Sequence, residues 1–361
     1  MKRHLLLIIT MLLATAAFTQ SAFQVTETRP IKLGTSGGNI NDHSSAFCCS
    51  GTLGSLVTKG GVQYILSNNH VLARSNAAAL GEAISQPGLI DAGCKVPASD
   101  TVANLSQFIQ LGTTNVDTPI AAVITGDVTS TGEILSVGVP ASTIASATVG
   151  RGVAKAGRTT GFTCASIGSV NTNVSVQYQA GCNSGKKFTI SYTNQVVINS
   201  SSFSAGGDSG SLIVTTDTAQ PVALLFAGSS STTIGNPITD VVNALGVSFV
   251  GGATHSVACT SGAAAPQTSH GLFASGFSRA LNAKEAHWQE LFRDSAVQGV
   301  GVGEDPANPG EGAVIIYVEE GRAHAPIPTE IDGVNTVVVV TDRFRATGWN
   351  EKELGTRCSN N

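Results

Sequence analysis

Apolar positions in this chain alternate in short runs far more often than they recur at helical spacing. Residues 51–57 and 62–67 flank the turn Lys59-Gly60-Gly61 and predict a hairpin. Further strands are predicted at 120–124, 174–178, 187–192, 195–198, 212–214 and 221–229, each bounded by turn residues. Helical spacing appears at Ile238, Val241, Val242 and Leu245, just after Asn236-Pro237, and predicts one closing helix. Residues 251–277 then turn rich in Ala, Ser, Thr and Gly and read as a linker.

Beyond the linker the pattern changes. A helix is expected over 278–293, with Leu281, Trp288, Leu291 and Phe292 on its apolar face, and strands at 297–302, 313–318 and 336–340. Residues 278–361 therefore form a small α+β domain whose role the sequence leaves open. The repeat Gly299-Val300-Gly301-Val302-Gly303 reads as a glycine-rich strand and turn in preference to a loop for a peptide end or an anion.

The amino terminus belongs to neither pattern. Lys2-Arg3-His4 precedes an apolar run over 5–17 and then small residues, the layout of a secretory signal peptide over 1–22. That run is short for a spanning helix, so no membrane association is expected after cleavage, and the localisation expected is secreted or periplasmic. A charged content of 12% with 41 glycines agrees with extracellular β-structure, and the net charge of −4 argues against a nucleic-acid partner. Seven cysteines in an exported chain imply disulfides and one thiol left over. Spacing favours Cys164 with Cys182, Cys94 with Cys48 or Cys49, and Cys259 with Cys358.

Candidate chemistry concentrates in Phe203-Ser204-Ala205-Gly206-Gly207-Asp208-Ser209-Gly210-Ser211, directly before the apolar run at 212–214. Such a turn presents one hydroxyl at the mouth of a strand. A serine becomes a useful nucleophile only with a base to take its proton and N–H donors for the oxyanion. Gly207 and Ser209 are the expected donors, because Gly207 has no Cβ to keep a substrate away. The G-x-S-x-G elbow fails here, since Ser211 stands at its last glycine. The base is sought at the end of a strand, where Asn68-Asn69-His70-Val71 follows the hairpin. His4, His43, His255, His270, His287 and His324 have weaker contexts. A carboxylate that orients the imidazole should open an apolar strand, which Asp117 does in Val116-Asp117-Thr118-Pro119-Ile120. Asp127 is its nearest rival, and Asp91 and Asp100 are expected to be solvated. His255 and Cys259 alone make no metal site, so neither metal nor cofactor is expected.

His70, Asp117 and then Gly207-Asp208-Ser209-Gly210, in that order along the chain, resemble the motifs of the chymotrypsin-like serine proteases. Lys155-Ala156-Gly157-Arg158-Thr159-Thr160-Gly161-Phe162-Thr163-Cys164 resembles a segment of their bacterial alpha-lytic-type branch. The likeness covers about residues 34–250. It implies a double antiparallel β-barrel, with a first barrel over 34–140 and a second over 141–250. It also implies a secreted serine endopeptidase acting on protein or peptide substrates through an acyl-enzyme, with His70, Asp117 and Ser209 as triad. Lys155 stands where the branch has arginine, which implies a contact with Asp208 that supports the oxyanion loop. Ala154 replaces the branch's partner of Cys164, which again directs Cys164 to Cys182. Phe203, Ser204, Ala205, Gly206, Ala227, Gly228 and Ser229 correspond to pocket walls, and none is acidic, which speaks against a preference for Lys or Arg. An esterase on the same triad and an inert or latent binding module remain alternatives. An intramolecular contact with the C-terminal domain is a further expectation.

Overall fold

The structure is a computed structural model that describes residues 21–182, 184–259 and 274–346. The expected signal segment 1–22 falls almost wholly outside the described residues, as do much of the expected linker and Cys358.

Two antiparallel β-sheets carry residues 35–249. The first joins Thr35–Asn39, Gly51–Leu53, Ser55–Lys59, Val62–Leu66, Ala83–Ser85, Thr101–Phe108 and Pro119–Val123. Its hairpin at Lys59-Gly60-Gly61 pairs Leu56 with Ile65, and the buried faces of Leu56, Ile65, Leu66, Ile84, Leu105 and Ile120 make one core. Most of these strands bury consecutive residues, so they were readable as short apolar runs bounded by turn residues.

The second sheet joins Gly152–Gly157, Gly161–Ser166, Ser169–Gln179, Lys187–Asn199, Leu212–Thr215, Pro221–Gly228 and Thr232–Pro237. Three short strands expected over 174–198 are two long ones. Register shifts between Ser169 and Val174 let the first continue through an irregular stretch without losing its partner. The helix Ile238–Leu245 buries Ile238, Val241 and Leu245 and ends at Gly246 in the left-handed region. Ser248–Phe249 then returns to pair with Ser55–Lys59 in the first sheet. The all-β double-sheet fold implied by the resemblance is present, followed by the C-terminal α+β part expected from the residue pattern.

The C-terminal part holds a surprise in its connectivity. Its helix Ala274–Leu291 packs Ala280 and Ala283 with Phe277, Leu281 and Trp288 against Val300, Val302, Val314 and Ile316. Its strands Val297–Glu304, Gly312–Glu319 and Val334–Thr341 do not form a separate sheet. Val297–Glu304 pairs antiparallel with Ser169–Gln179, Val170 opposite Val302 and Val174 opposite Gly299, so the second sheet continues into the C-terminal part. The glycine repeat at 299–303 is therefore strand throughout. A Cβ on Gly301 would lie 2.2 Å from Thr172 Oγ1, so glycine is what lets the two strands approach.

Two disulfide expectations are overturned. The bonds are Cys48–Cys94, Cys49–Cys182 and Cys164–Cys259. Cys182 sits at the tip of a hairpin whose first strand has 11 residues, which carries it about 35 Å along the strand, away from Cys164. Cys259 reaches Cys164 instead, leaving Cys358, outside the described residues, without that partner. Three disulfides fit an oxidising compartment outside the cytoplasm. Among the described residues no helix is long and apolar enough to cross a membrane.

Candidate active site

His70 lies in a single helical turn, Asn69–Leu72, immediately after the strand Val62–Leu66. The flanking asparagines fix that turn: Asn68 Nδ2 donates to Asp117 O at 2.8 Å, and Asn69 Nδ2 to Ile109 O at 2.7 Å. Asp117 opens the strand Pro119–Val123, and its own amide donates to Asn236 Oδ1 at 2.9 Å. The result is a short contact between His70 Nδ1 and Asp117 Oδ2, 2.6 Å, with His70 6% and Asp117 0% exposed. The His70 amide adds a bond of 3.3 Å to Asp117 Oδ1.

Asp117 has another partner that sequence reasoning missed. Tyr178, on the long strand Ser169–Gln179, donates its hydroxyl to Asp117 Oδ2 at 2.9 Å, and Tyr192 stands 2.7 Å behind it. Burial, and then the charge of Asp117, hold the Tyr178 phenol well above its ordinary value, so it is a donor at any physiological pH. Alternation along 174–178 placed Tyr178 on a strand, but nothing in the pattern could show that it crosses to the first sheet.

Ser209 belongs to the turn between Lys187–Asn199 and Leu212–Thr215. Thr52 of the first sheet donates its amide to Ser209 O at 2.9 Å, which brings the loop that carries Ser209 against the strand that also touches Val71 beside His70. Gly207 has φ +97°, and a Cβ there would stand 2.4 Å from Thr159 Oγ1, so this position of the loop requires glycine. The amides of Gly207 and Ser209 donate to no acceptor among the described residues.

Asp208, 0% exposed, points away from the cleft and is densely held. Its Oδ1 accepts from the amides of Thr159 at 2.8 Å and Thr160 at 3.2 Å, and its Oδ2 from the amide of Ala205 at 3.0 Å and the Thr160 hydroxyl at 2.7 Å. Lys155 Nζ, also fully buried, lies 3.6 Å from Oδ2 and donates to Thr160 Oγ1 at 2.5 Å and Gly161 O at 2.8 Å. The threonine hydroxyl thus bridges ammonium and carboxylate. Burial lowers the Lys155 pKa, with the Asp208 charge opposing it.

The remaining expected wall residues divide. Phe203 is 0% exposed and packs among Val196, Ile213 and Leu225 in the interior of the second sheet, so its ring does not line the cleft. Ser204 bonds Thr233, while Ala205 and Gly206 stay half-buried at the loop. Ala227, Gly228 and Ser229 form an edge covered by residues 341–346 of the C-terminal part: Ser229 Oγ is 2.5 Å from Thr341 Oγ1, and Gly228 and Arg345 exchange both main-chain bonds. Ser209 Oγ donates to Ala346 O at 3.3 Å, and His70 Nε2 is sealed from solvent without a hydrogen-bond partner.

The rival aspartates have other work. Asp127 pairs with Arg29 at 2.7 Å. Asp91, expected to be solvated, has a side chain only 5% exposed, because the Arg158 guanidinium closes on both its oxygens at 2.7 Å. Among the described residues no three His, Cys, Asp or Glu side chains gather as a metal site.

No family model matches the chain, and no curated protein matches it. Solved structures do. A glutamic-acid-specific serine protease described as using a histidine triad in substrate binding is 22% identical, over 61% of this chain and 100% of its own, with a TM-score of 0.44. Thermobifida fusca protease A is 18% identical over 62% and 99%, with a TM-score of 0.41. Cellulomonas bogoriensis chymotrypsin is 16% identical over 61% and 98%, also at 0.41. The likeness runs to the bacterial chymotrypsin-like proteases that the motifs resemble.

Proposed function

We propose that the chain is a secreted serine endopeptidase that works through His70, Asp117 and Ser209. The observation that carries this reading is the buried His70–Asp117 contact of 2.6 Å, supported by a Ser209 loop that is tied to the first sheet through the Thr52 amide and whose Gly207 and Ser209 amides donate to no acceptor among the described residues. With Asp117 accepting at Nδ1, the lone pair of the imidazole lies on Nε2, which then serves as the base. Nε2 takes the Ser209 proton as Oγ attacks a carbonyl carbon, and the Gly207 and Ser209 amides receive the oxyanion. The imidazolium returns the proton to the leaving amine. Water then repeats the cycle on the acyl-enzyme and frees Ser209. Asp208, pinned from behind by main-chain donors, holds the loop so that the two amides are in place before charge develops.

Peptide rather than simple ester is the favoured substrate, because the cleft edge at Gly228 engages a peptide main chain as a strand. Prolonged fluorophosphonate exposure of the full-length protein tests the assignment. The modified peptide should contain Ser209, and Ser209→Ala should remove both labelling and peptide hydrolysis, a loss of several orders of magnitude. Undiminished hydrolysis by Ser209→Ala would end this reading.

A further inference from the structure

The C-terminal part does more than extend the second sheet. Beyond the strand Val334–Thr341, residues 344–346 lie between Gly228 and the strand Ser169–Gln179. Arg345 N–H donates to Gly228 O at 2.9 Å, and Gly228 N–H donates to Arg345 O at 3.0 Å. On the opposite edge Gln177 N–H donates to Phe344 O at 2.9 Å, and Ala346 N–H donates to Gln177 O at 3.0 Å. The segment is a strand bonded on both sides, antiparallel to Gly228 and parallel to Gln177.

Packing matches the hydrogen bonding. Phe344 and Ala346 are 0% and 2% exposed, in one apolar cluster with Val176, Tyr178, Phe226 and Ala227. The contact reaches the reacting atoms, since the Ala346 carbonyl holds the Ser209 hydroxyl. A hydroxyl has a single proton, so donation to Ala346 O removes it from His70 Nε2, which is left buried and alone.

We propose that the C-terminal α+β part is a built-in competitive inhibitor whose residues 344–346 occupy the groove meant for a substrate's main chain. This rests on the endopeptidase reading above. The partner that the cleft edge fits is thus the chain's own tail strand, delivered by a domain anchored separately through the pairing of Val297–Glu304 with Ser169–Gln179. Such tethering keeps the local concentration of the occupant at about millimolar or above, which a free peptide must overcome. Reaction at Ser209 then proceeds in proportion to the small fraction of molecules with the segment lifted.

The test compares fluorophosphonate labelling rates in full-length protein. Arg345→Pro removes the N–H that Gly228 O accepts and leaves the remainder of the C-terminal part intact. Labelling at Ser209 should accelerate about tenfold or more over the unmodified protein, the equilibrium value of one strand bond together with the misfit of the ring. Ala346→Pro, which removes the donor to Gln177 O, is read in the same way should Arg345→Pro fail to give the circular dichroism of the folded chain. Rapid labelling at Ser209 with no acceleration in the folded variants would overturn the inhibitor and leave the protease. Folded variants that never label at Ser209 would overturn the protease, and the inhibitor with it.

Discussion

Asp208 and Asp117 are both fully buried carboxylates, yet they are held in opposite ways. Asp208 takes three main-chain amides, one threonine hydroxyl and a nearby ammonium. Asp117 depends on two side chains, an imidazole and a phenol, with a longer third bond from the His70 amide. Main-chain donors cannot rotate away, so the first arrangement is a rigid support for the nucleophile loop. Side-chain donors can shift and exchange protons, so the second suits a carboxylate that responds as the proposed cycle charges its imidazole. The difference teaches that burial alone does not define a carboxylate's role; the kind of donor does.

The largest expected effect attacks the rigid side. Lys155→Met removes the one full charge that balances Asp208, and losing a partner from a buried ion pair costs about 3–5 kcal/mol. The denaturation midpoint of the full-length chain should fall accordingly. An unchanged midpoint would mean that the amides of Thr159, Thr160 and Ala205 stabilise Asp208 without the ammonium.

On the responsive side, Tyr178→Phe deletes one hydroxyl and keeps the ring that packs beside His70 at 6.1 Å between centroids. If Tyr178 positions Asp117, kcat should fall about ten- to a hundredfold, because a hydrogen bond to a charged group is worth about 1.5–3 kcal/mol. KM should stay within about twofold. The measurement belongs in the Arg345→Pro background, where the proposed inhibitor should be lifted from the cleft. Tyr192→Phe, one bond farther out, should lose less. Equal losses in kcat and stability from both variants would reduce Tyr178 to packing.

The same contrast explains what the sequence made legible. Asp208, Lys155, Thr159 and Thr160 lie in two short stretches whose residue order resembles known motifs, so the loop and its support could be anticipated from local reading. The threonine bridge could not, because a hydroxyl between two charges leaves no periodic trace. Tyr178 and Asp117 meet only because an 11-residue strand crosses to the first sheet. The pairing of Cys182 with Cys49 has the same origin, and spacing along the chain misplaced it. The tail in the cleft was hidden for a further reason. The C-terminal part read as an independent α+β unit, and an edge strand's choice of neighbour is written in exposed main-chain groups, not in side-chain alternation. The expected intramolecular contact with the C-terminal domain named no segment, and the glycines at 299, 301 and 303, read as a strand and turn, mark where that domain joins the second sheet.

The smallest expected effect sharpens the comparison most. Thr160→Val is nearly isosteric and deletes the hydroxyl that lies between Lys155 Nζ and Asp208 Oδ2. Asp208 keeps its three amides and Lys155 keeps Gly161 O. The two ions, already 3.6 Å apart, can then approach directly. The loss should be about 1 kcal/mol in stability, with turnover of the opened enzyme within about twofold. A loss as large as that of Lys155→Met would show that the hydroxyl is an indispensable link rather than one donor among several. In that case the support of the Ser209 loop would rest, like that of Asp117, on movable side chains.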